Sequence, residues 1–244
     1  MGKLAAVYTA RTPDLGMSCF SREQNANRPA WIHARFEGEA HFICYDGDDG
    51  ERIYYELRFD SLYLPIDATA GEITLAYNHI AEEYDALNPE AAVSAGLIRK
   101  KAGQYCQGAV EALDIFAGTG IAAKEIADLC SGISLIDISE SMIGVARRRS
   151  ELGNASFYVA DILGFDFPRD YGLITCSHGL NYLNPNDLEA VVAKMQAAQS
   201  SGGLFVNVGR VNMGIIRDYY QKIEEGIVVL GQPEREYRYF VGYR

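Results

Sequence analysis

The feature that most constrains the fold is a regular alternation of apolar runs and helical patterns over residues 109–209. Several of the apolar runs are rich in β-branched residues, which is typical of strands buried on both faces. Amphipathic segments lie between them, such as 187–199, where apolar residues recur at helical spacing. The pattern predicts an α/β fold with a mostly parallel sheet and helices on both faces. The predicted strands are 110–116, 133–138, 156–159, 173–176 and 203–208.

The C-terminal end departs from this alternation. A helical pattern over 215–224 is followed by two β-rich stretches, 227–230 and 237–243. The residues Gly231, Gln232 and Pro233 lie between the two stretches and indicate a turn. We therefore expect an antiparallel hairpin that closes one edge of the sheet.

The first 70 residues form a different kind of region. Residues 40–45 and 52–59 are rich in β-formers, and the acidic, glycine-containing segment 46–50 between them is typical of a hairpin turn. We expect residues 1–70 to form a β-rich N-terminal cap that shapes a substrate pocket. A second domain is then predicted over residues 71–244, and two helices, 72–87 and 91–101, lead into its sheet.

The charge of the chain disfavours nucleic acid as a partner. The net charge is −11, from 22 basic and 33 acidic residues. The acidic excess is spread evenly, since residues 1–108 carry 10 basic and 16 acidic residues and residues 109–244 carry 12 and 17. Binding to phosphates requires clustered lysine or arginine. We therefore expect no nucleic-acid partner and a small-molecule substrate. The chain is further expected to be a monomer or a homodimer.

The cysteines and the N-terminus bear on the compartment. The five cysteines are scattered, with no CxxC pair and no histidine at metal-ligand spacing, so we expect free thiols and no metal site. The apolar run 4–7 is too short for the core of a signal peptide, and no stretch is long enough for a membrane span. These features favour a cytoplasmic protein that does not bind membranes.

A glycine-containing turn follows the first predicted strand and is the strongest indication of a binding site. In the sequence 113–120, Gly118 and Gly120 lie between the end of the strand and the start of a helix. Glycine permits a tight turn there and allows a ligand to approach the backbone. The alternative is an ordinary connection between a strand and a helix.

Acidic residues follow or end each of the first three predicted strands. Asp114 lies at the end of the first, Asp137 at the end of the second and Asp161 after the third. An acid at the end of the second strand binds ribose hydroxyls in dinucleotide folds. Asp137 alone is also compatible with a helix cap, but the three acids together with the glycines indicate a nucleoside-containing ligand.

These segments resemble the class I S-adenosylmethionine-dependent methyltransferases. Residues 114–120 are similar to that family's motif I, whose usual form is Asp-x-Gly-x-Gly-x-Gly, although Phe116 stands where the first glycine is usual. Gly172 likewise stands where an aspartate is frequent, and Ser201 where a proline is common. The resemblance covers residues 72–209 and implies a Rossmann-like fold. The further segments that carry it are 136–142, 158–162, 171–176, 181–183 and 202–205.

The resemblance implies S-adenosyl-L-methionine as the cofactor and assigns roles to individual residues. The methionine end would lie over Ala117, Gly118 and Gly120, held partly by Asp114, and Asp137 would bind the ribose. The remaining positions implied by the resemblance are Ile138 and Met142 beside the adenine, Asp161 and Ile162 at its edge, Cys176 in the fourth-strand block, and Tyr77 and Tyr84 on a helix that folds over the cofactor. For the two tyrosines, packing in a core is an equally good interpretation.

Methyl transfer requires a base only when the acceptor must lose a proton. His178 follows the fourth strand, near the expected position of the methyl group, and histidine titrates in the useful range. It is the candidate general base, with a purely structural histidine as the alternative. His33, His41 and His79 are weaker candidates for lining a pocket. The acceptor is predicted to be a small molecule methylated on oxygen or nitrogen.

Other functions remain open at this point. Residues 118–123 also fit Gly-x-Gly-x-x-Ala, which is typical of nicotinamide-dependent oxidoreductases. Against that reading, Asp114 lies where dinucleotide folds keep apolar residues, Asp161 adds an acid, and the chain has no Tyr-x-x-x-Lys pair. The cofactor motifs are also compatible with a cyclase or a sensor that binds S-adenosylmethionine without methylating, because fold does not fix function.

Overall fold

A computed structural model describes residues 3–13, 37–46, 52–58, 61–63, 70–106, 110–167, 170–209, 213–230 and 235–244. The chain divides into two compact units, Met1–Asn88 and Pro89–Arg244. Of the two helices predicted to open the second domain, 72–87 therefore lies in the first unit and 91–101 lies in the second. The division predicted at residue 70 and the role of residues 1–70 stay predictions.

The first unit contains an antiparallel sheet of four strands in the order β1-β2-β3-β4. These strands are β1 (Lys3–Pro13), β2 (Glu37–Asp46), β3 (Arg52–Arg58) and β4 (Ser61–Tyr63). The sequence predicted β2 and β3, whereas β1 and β4 were not predicted. Two helices follow, α1 (Ala70–Ile80) and α2 (Tyr84–Leu87), where one continuous helix was expected. The turn predicted at 46–50 lies almost entirely outside the described residues, as does His33.

The second unit opens with α3 (Pro89–Tyr105) and contains a sheet of seven strands. Its strands are β5 (Val110–Ile115), β6 (Cys130–Asp137), β7 (Ser156–Val159), β8 (Tyr171–Ser177), β9 (Gln199–Gly209), β10 (Gln221–Leu230) and β11 (Arg235–Tyr243). The strand order is β10-β11-β9-β8-β5-β6-β7. The first five strands pair in parallel, and β11 pairs antiparallel with both β9 and β10.

Helices cover both faces of this sheet. They are α4 (Ile121–Ile126), α5 (Glu140–Arg147), α6 (Pro185–Ala198) and α7 (Met213–Tyr219), in addition to α3. On one face, Val192 of α6 and Ile216 of α7 share a core with Leu113 and Phe205. Asp114, next to Leu113, points to the other face, where it lies near the backbone of Ala123 in α4. The predicted α/β fold with a parallel sheet and an antiparallel C-terminal hairpin is confirmed.

One helix predicted near the C-terminus is shorter than expected. Helix α7 ends at Tyr219, and residues 221–224, predicted to be helical, begin strand β10. Tertiary contacts outweigh the helical pattern here, because Glu224 accepts hydrogen bonds from Lys101 (2.5 Å), Tyr105 (2.9 Å) and Tyr239 (2.7 Å). These contacts, chiefly those with Lys101 and Tyr239, lower the pKa of Glu224 to about 2. Glu224 thus ties the hairpin to α3 through residues that are more than 100 positions away in sequence.

Across the residues that the structure describes, no helix combines the length and apolar character needed to cross a membrane.

Candidate active site

The site lies at the carboxyl ends of three neighbouring parallel strands. In the register of the sheet, Ile115 of β5 pairs with Ile136 of β6 on one side and with Cys176 of β8 on the other. The loops that follow these strands therefore meet at the same edge. In open parallel sheets, ligands bind in the crevice outside the carboxyl ends of the strands.

The turn after β5 combines three residues with left-handed backbone conformation. Phe116, Gly118 and Gly120 have φ angles of 52°, 53° and 75°. A Cβ atom on Gly118 would meet no described atom within 4 Å, so one side of this residue is open. A Cβ atom on Gly120 would lie 2.9 Å from Leu152 Cδ1, so Gly120 is required for close packing of the turn. The two glycines therefore differ in their surroundings. Gly118 leaves open space beside the backbone, whereas Gly120 permits close packing against the core.

Asp137 binds the turn from the end of β6. Its Oδ2 accepts a hydrogen bond from the backbone N–H of Gly118 (2.8 Å), and its Oδ1 accepts one from the N–H of Ser139 (2.9 Å). The Ser139 hydroxyl in turn caps α5 by accepting from the N–H of Met142 (3.1 Å). Burial raises the pKa of Asp137, while these backbone hydrogen bonds act in the opposite direction. A carboxylate has about four lone-pair sites, so Asp137 retains acceptor capacity for hydroxyl groups.

Asp114 is a buried carboxyl group with one unused oxygen. Its Oδ1 accepts a hydrogen bond from the Thr175 hydroxyl (2.7 Å), whereas Oδ2 has no hydrogen-bond partner in the described part of the chain. Burial, together with the nearby charge of Asp137, raises the pKa of Asp114 to about 7. A buried polar atom without a partner is costly and calls for an explanation. A cationic or hydrogen-bond-donating ligand group would satisfy it.

These features fit the nucleoside and amino-acid parts of S-adenosylmethionine. The open side of Gly118 permits close approach of a ligand to the backbone, Asp114 offers an acceptor for an ammonium group, and Asp137 offers acceptors for ribose hydroxyls. The predicted roles of Ala117, Gly118, Gly120, Asp114 and Asp137 are thus compatible with their placement, and they stay predictions.

The other predicted residues of the cofactor site differ in exposure. Asp161 is exposed and accepts a hydrogen bond from the N–H of Leu163 (3.0 Å), and the preceding Ala160 donates to the backbone carbonyl of Asp137 (3.0 Å). Ile138 is half-buried, whereas Met142 and Ile162 are buried. Cys176 is fully buried in the core, and this burial raises the pKa of its thiol to about 12.

The two tyrosines predicted to cover the cofactor lie in the first compact unit. Tyr77 is on α1 and Tyr84 begins α2. Their ring centroids are 5.9 Å apart and the rings are inclined by 56°. This contact agrees with mutual packing, and covering a cofactor stays a prediction.

His178 lies directly after β8, in a left-handed conformation with φ of 63°. Its backbone N–H donates to the carbonyl of Val208 on β9 (2.7 Å). The Nε2 atom lies 2.7 Å from the hydroxyl oxygen of Ser94 on α3, and the ring makes an edge contact with Tyr237, with 4.7 Å between the centroids. The structure therefore brings His178 to the same sheet edge as the glycine turn.

Several residues of this site were not predicted from the sequence. Thr175 binds Asp114, and Arg149 binds the carbonyl oxygen of Thr119 in the glycine turn (2.6 Å). Ser94 and Tyr237 contact His178. Thr175 lies in the segment 171–176 that carries the family resemblance but was given no role, whereas Ser94, Arg149 and Tyr237 belong to no recognisable motif. Within the described residues, no group of three or more histidine, cysteine or acidic side chains is arranged to hold a metal ion.

Comparison with known proteins agrees with this geometry. Residues 112–203 match a family model described as a methyltransferase domain. The chain is 28% identical over 120 residues to a malonyl-[acyl-carrier protein] O-methyltransferase of Bacillus anthracis, a match that covers 48% of this chain and 44% of that protein. It is 30% identical over 117 residues to a dTDP-3-amino-3,6-dideoxy-alpha-D-glucopyranose N,N-dimethyltransferase of Streptomyces fradiae, covering 45% and 44%. The chain thus spans less than half the length of these curated relatives.

A solved structure shares the fold of most of the chain. It is the N-methyltransferase NodS from Bradyrhizobium japonicum WM9, crystallised in complex with S-adenosyl-L-homocysteine. The TM-score is 0.62 at 18% sequence identity, and the alignment covers 70% of this chain and 97% of NodS. This likeness concerns the fold, whereas the family match concerns the sequence between β5 and β9. Residues 112–203 are thus similar to a methyltransferase domain, and the chain shares its fold with NodS.

Proposed function

We propose that this protein transfers a methyl group from S-adenosylmethionine to an oxygen or nitrogen atom of a small molecule. The observation that carries the proposal is the buried Asp114 carboxyl, whose Oδ2 has no partner among the described residues, beside the glycine turn that Asp137 binds. The matches to an O-methyltransferase and an N,N-dimethyltransferase support the reaction class. Binding of a nicotinamide cofactor would account for Asp137 but would leave Asp114 and Asp161 without a purpose.

The residues of the site would bind and orient the two reactants. When bound, S-adenosylmethionine supplies an electrophilic methyl group attached to a positively charged sulfur. Asp114 would accept a hydrogen bond from the ammonium group, Asp137 would accept from the ribose hydroxyls, and Asp161 would accept from the adenine amino group. Alignment of the reactants and exclusion of water are the main contributions that a protein makes to such a displacement.

His178 would accept the proton of an acceptor hydroxyl or ammonium group. It follows β8 directly, at the sheet edge that carries the glycine turn. A histidine that titrates near neutral pH is well suited to general-base work. This assignment applies to acceptors that lose a proton.

The acceptor class is proposed from the relatives. One of them acts on a malonyl group carried by a protein and the other on an amino sugar nucleotide. We propose a carboxylate, hydroxyl or amine acceptor of small size. A cytoplasmic location, a monomeric or homodimeric state and the lack of nucleic-acid and membrane partners are further parts of this proposal.

The proposal is tested first by calorimetric titration with S-adenosylmethionine, S-adenosylhomocysteine and NAD(H) in parallel. Selective binding of the two sulfur compounds supports it, and binding of NAD(H) alone contradicts it. The release of S-adenosylhomocysteine is then measured with amino sugar nucleotides, malonyl thioesters and phenols as acceptors. Tight cofactor binding without release for any acceptor would favour a non-methylating protein.

Replacement of Asp137 by alanine is expected to weaken cofactor binding by about 1.5–3 kcal/mol, which corresponds to roughly 10-fold to 150-fold in Kd. Asp137 binds the N–H groups of Gly118 and Ser139, so the substitution removes both the proposed ribose acceptor and a support of the turn. The measurement is calorimetric titration with S-adenosylhomocysteine. Asp128→Ala, at an exposed carboxylate near the opposite ends of the strands, is the control. Equal affinities of the two variants would rule out the proposed role of Asp137.

The affinity for S-adenosylmethionine is expected to increase between pH 6 and pH 8. Asp114 has a pKa raised to about 7, so it is mainly neutral at the lower pH and mainly charged at the higher one. A charged carboxylate attracts the ammonium and sulfonium groups, and a neutral carboxyl does not. Titrations at a series of pH values test this expectation, and Asp114→Asn is expected to remove the pH dependence. A wild-type affinity that is constant over this range would contradict it.

A further inference from the structure

The main chain at His178 is held in a strained conformation by its neighbours. A non-glycine residue with φ of 63° is uncommon, and such strain persists only where the surroundings enforce it. The N–H of His178 donates to Val208, and a Cβ atom on Gly209 would lie 3.3 Å from the Cα of His178. Strand β9 therefore fixes the point from which the imidazole extends. Strained residues of this kind are concentrated at functional sites.

Two side chains from other elements contact the imidazole itself. Ser94 of α3 is buried, and its hydroxyl oxygen lies 2.7 Å from Nε2. Tyr237 of β11 is also buried, and its ring meets the imidazole at 80°. The Tyr237 hydroxyl donates to the Glu90 carboxylate of α3 (2.5 Å). Glu90 and Ser94 are four residues apart and so lie on one face of the helix.

We propose that Ser94 and Tyr237 are positioning residues, which hold the imidazole of His178 in the orientation needed to take a proton from the methyl acceptor. The proposal rests on the proposed role of His178 as general base. Ser94 fixes the ring through Nε2, Tyr237 limits its rotation through the aromatic contact, and Glu90 fixes Tyr237. The first turns of α3 would thereby form the wall of the site on the acceptor side.

A serine hydroxyl is suited to this role because its oxygen accepts a hydrogen bond from the ring. In the neutral ring Nε2 must carry the proton and donate to the Ser94 oxygen, so that Nδ1 takes the proton of the methyl acceptor; in the imidazolium Nε2–H donates to the same oxygen, and the ring keeps one orientation before and after protonation. The hydrogen bond from the charged ring is the stronger of the two. Loss of the hydroxyl therefore disfavours the protonated form of His178. Among titratable groups, Tyr237 on β11 contacts the ring, and Glu90 on α3 accepts a hydrogen bond from the Tyr237 hydroxyl.

The test is an NMR titration of the full chain labelled with ¹⁵N in histidine. The resonances of His178 are assigned by their loss in His178→Asn. In Ser94→Ala we expect the titration midpoint of His178 to fall by about half a unit or more, a roughly threefold change in the protonation constant. Ser94→Thr keeps the hydroxyl and is expected to restore the midpoint. Ser131→Ala, which removes an exposed hydroxyl at the amino end of β6, is expected to leave it unchanged.

Tyr237→Leu tests the aromatic contact separately. Removal of the ring is expected to shift the carbon-bound proton resonances of His178, because the edge contact places them in the field of that ring. A midpoint in Ser94→Ala equal to that of the wild type, or unchanged resonances in Tyr237→Leu, would overturn the corresponding assignment. Affinity for S-adenosylhomocysteine is measured alongside, and its loss in Ser94→Ala would show that Ser94 supports the fold rather than the ring. These readouts need no turnover, so they are independent of the acceptor screen.

Discussion

His178→Asn is expected to lower the rate of methyl transfer by about 10²-fold to 10⁴-fold, the range that a well-placed general base contributes. Asparagine suits the test because it tolerates the left-handed conformation that residue 178 adopts, so the main chain is preserved. Asparagine has no group that takes up a proton near neutral pH. Affinity for S-adenosylhomocysteine is expected to stay unchanged, because the proposed cofactor contacts involve Asp114, Asp137 and the glycine turn.

The rate is measured as single-turnover formation of S-adenosylhomocysteine with the acceptor identified in the screen. In the wild type it should rise with pH as His178 loses its proton, since a base accepts protons only in its neutral form. The variant should lack that limb of the pH profile. Full activity of His178→Asn, with the same pH profile, would mean that the histidine is structural and that the acceptor reacts without a protein base.

The central strands of the second unit could be predicted because they are rich in apolar residues. Strands β5, β6, β8 and the second half of β9 are nearly continuous apolar runs, and burial on both faces leaves little room for polar residues. The glycine turn and the acids at strand ends were predictable for a related reason. A left-handed turn and a crevice for a polar ligand require residue types that are rare within buried strands.

The ends of elements were less predictable, because distant contacts decide them. Residues 221–224 have a helical pattern, yet pairing with β11 and the hydrogen bonds of Glu224 make them part of β10. Strand β1 was missed because only a short apolar run within it stands out, whereas its length is set by pairing with β2. In both cases the partner strand supplies the hydrogen bonds that local propensity does not.

The partners of the site residues could not be derived from the sequence at all. Thr175 is 61 positions from Asp114, Ser94 is 84 positions from His178, and Arg149 is 30 positions from Thr119. Each contact joins two elements whose relative position depends on the packing of the whole sheet. Serine, threonine and arginine are also common at many positions, so their identity carries little information. The acids were visible as a group, whereas the side chains that orient them required the tertiary structure.

Gly120→Ala is expected to destabilise the protein by about 2–5 kcal/mol, a large share of the stability of an ordinary domain. The φ of 75° costs any residue with a Cβ atom roughly 1–2 kcal/mol. The added methyl group would also lie 2.9 Å from Leu152 Cδ1, 3.1 Å from Ala146 Cβ and 3.3 Å from Leu135 Cδ2. Overpacking of a core typically adds about 1–3 kcal/mol. The measurement is the free energy of unfolding from urea titrations.

Two other glycines separate the backbone cost from the packing cost. Gly118 has a similar φ of 53°, but a methyl group added there would meet no described atom within 4 Å. For Gly118→Ala we therefore expect only the backbone cost of about 1–2 kcal/mol. Gly144→Ala lies in α5 with open space around it and is expected to stabilise by about 0.5–1 kcal/mol. Equal losses in Gly118→Ala and Gly120→Ala would show that packing against Leu152 contributes nothing. Saturating S-adenosylhomocysteine should stabilise Gly120→Ala more than Gly118→Ala, because the methyl group on residue 118 occupies the side from which a ligand approaches the turn.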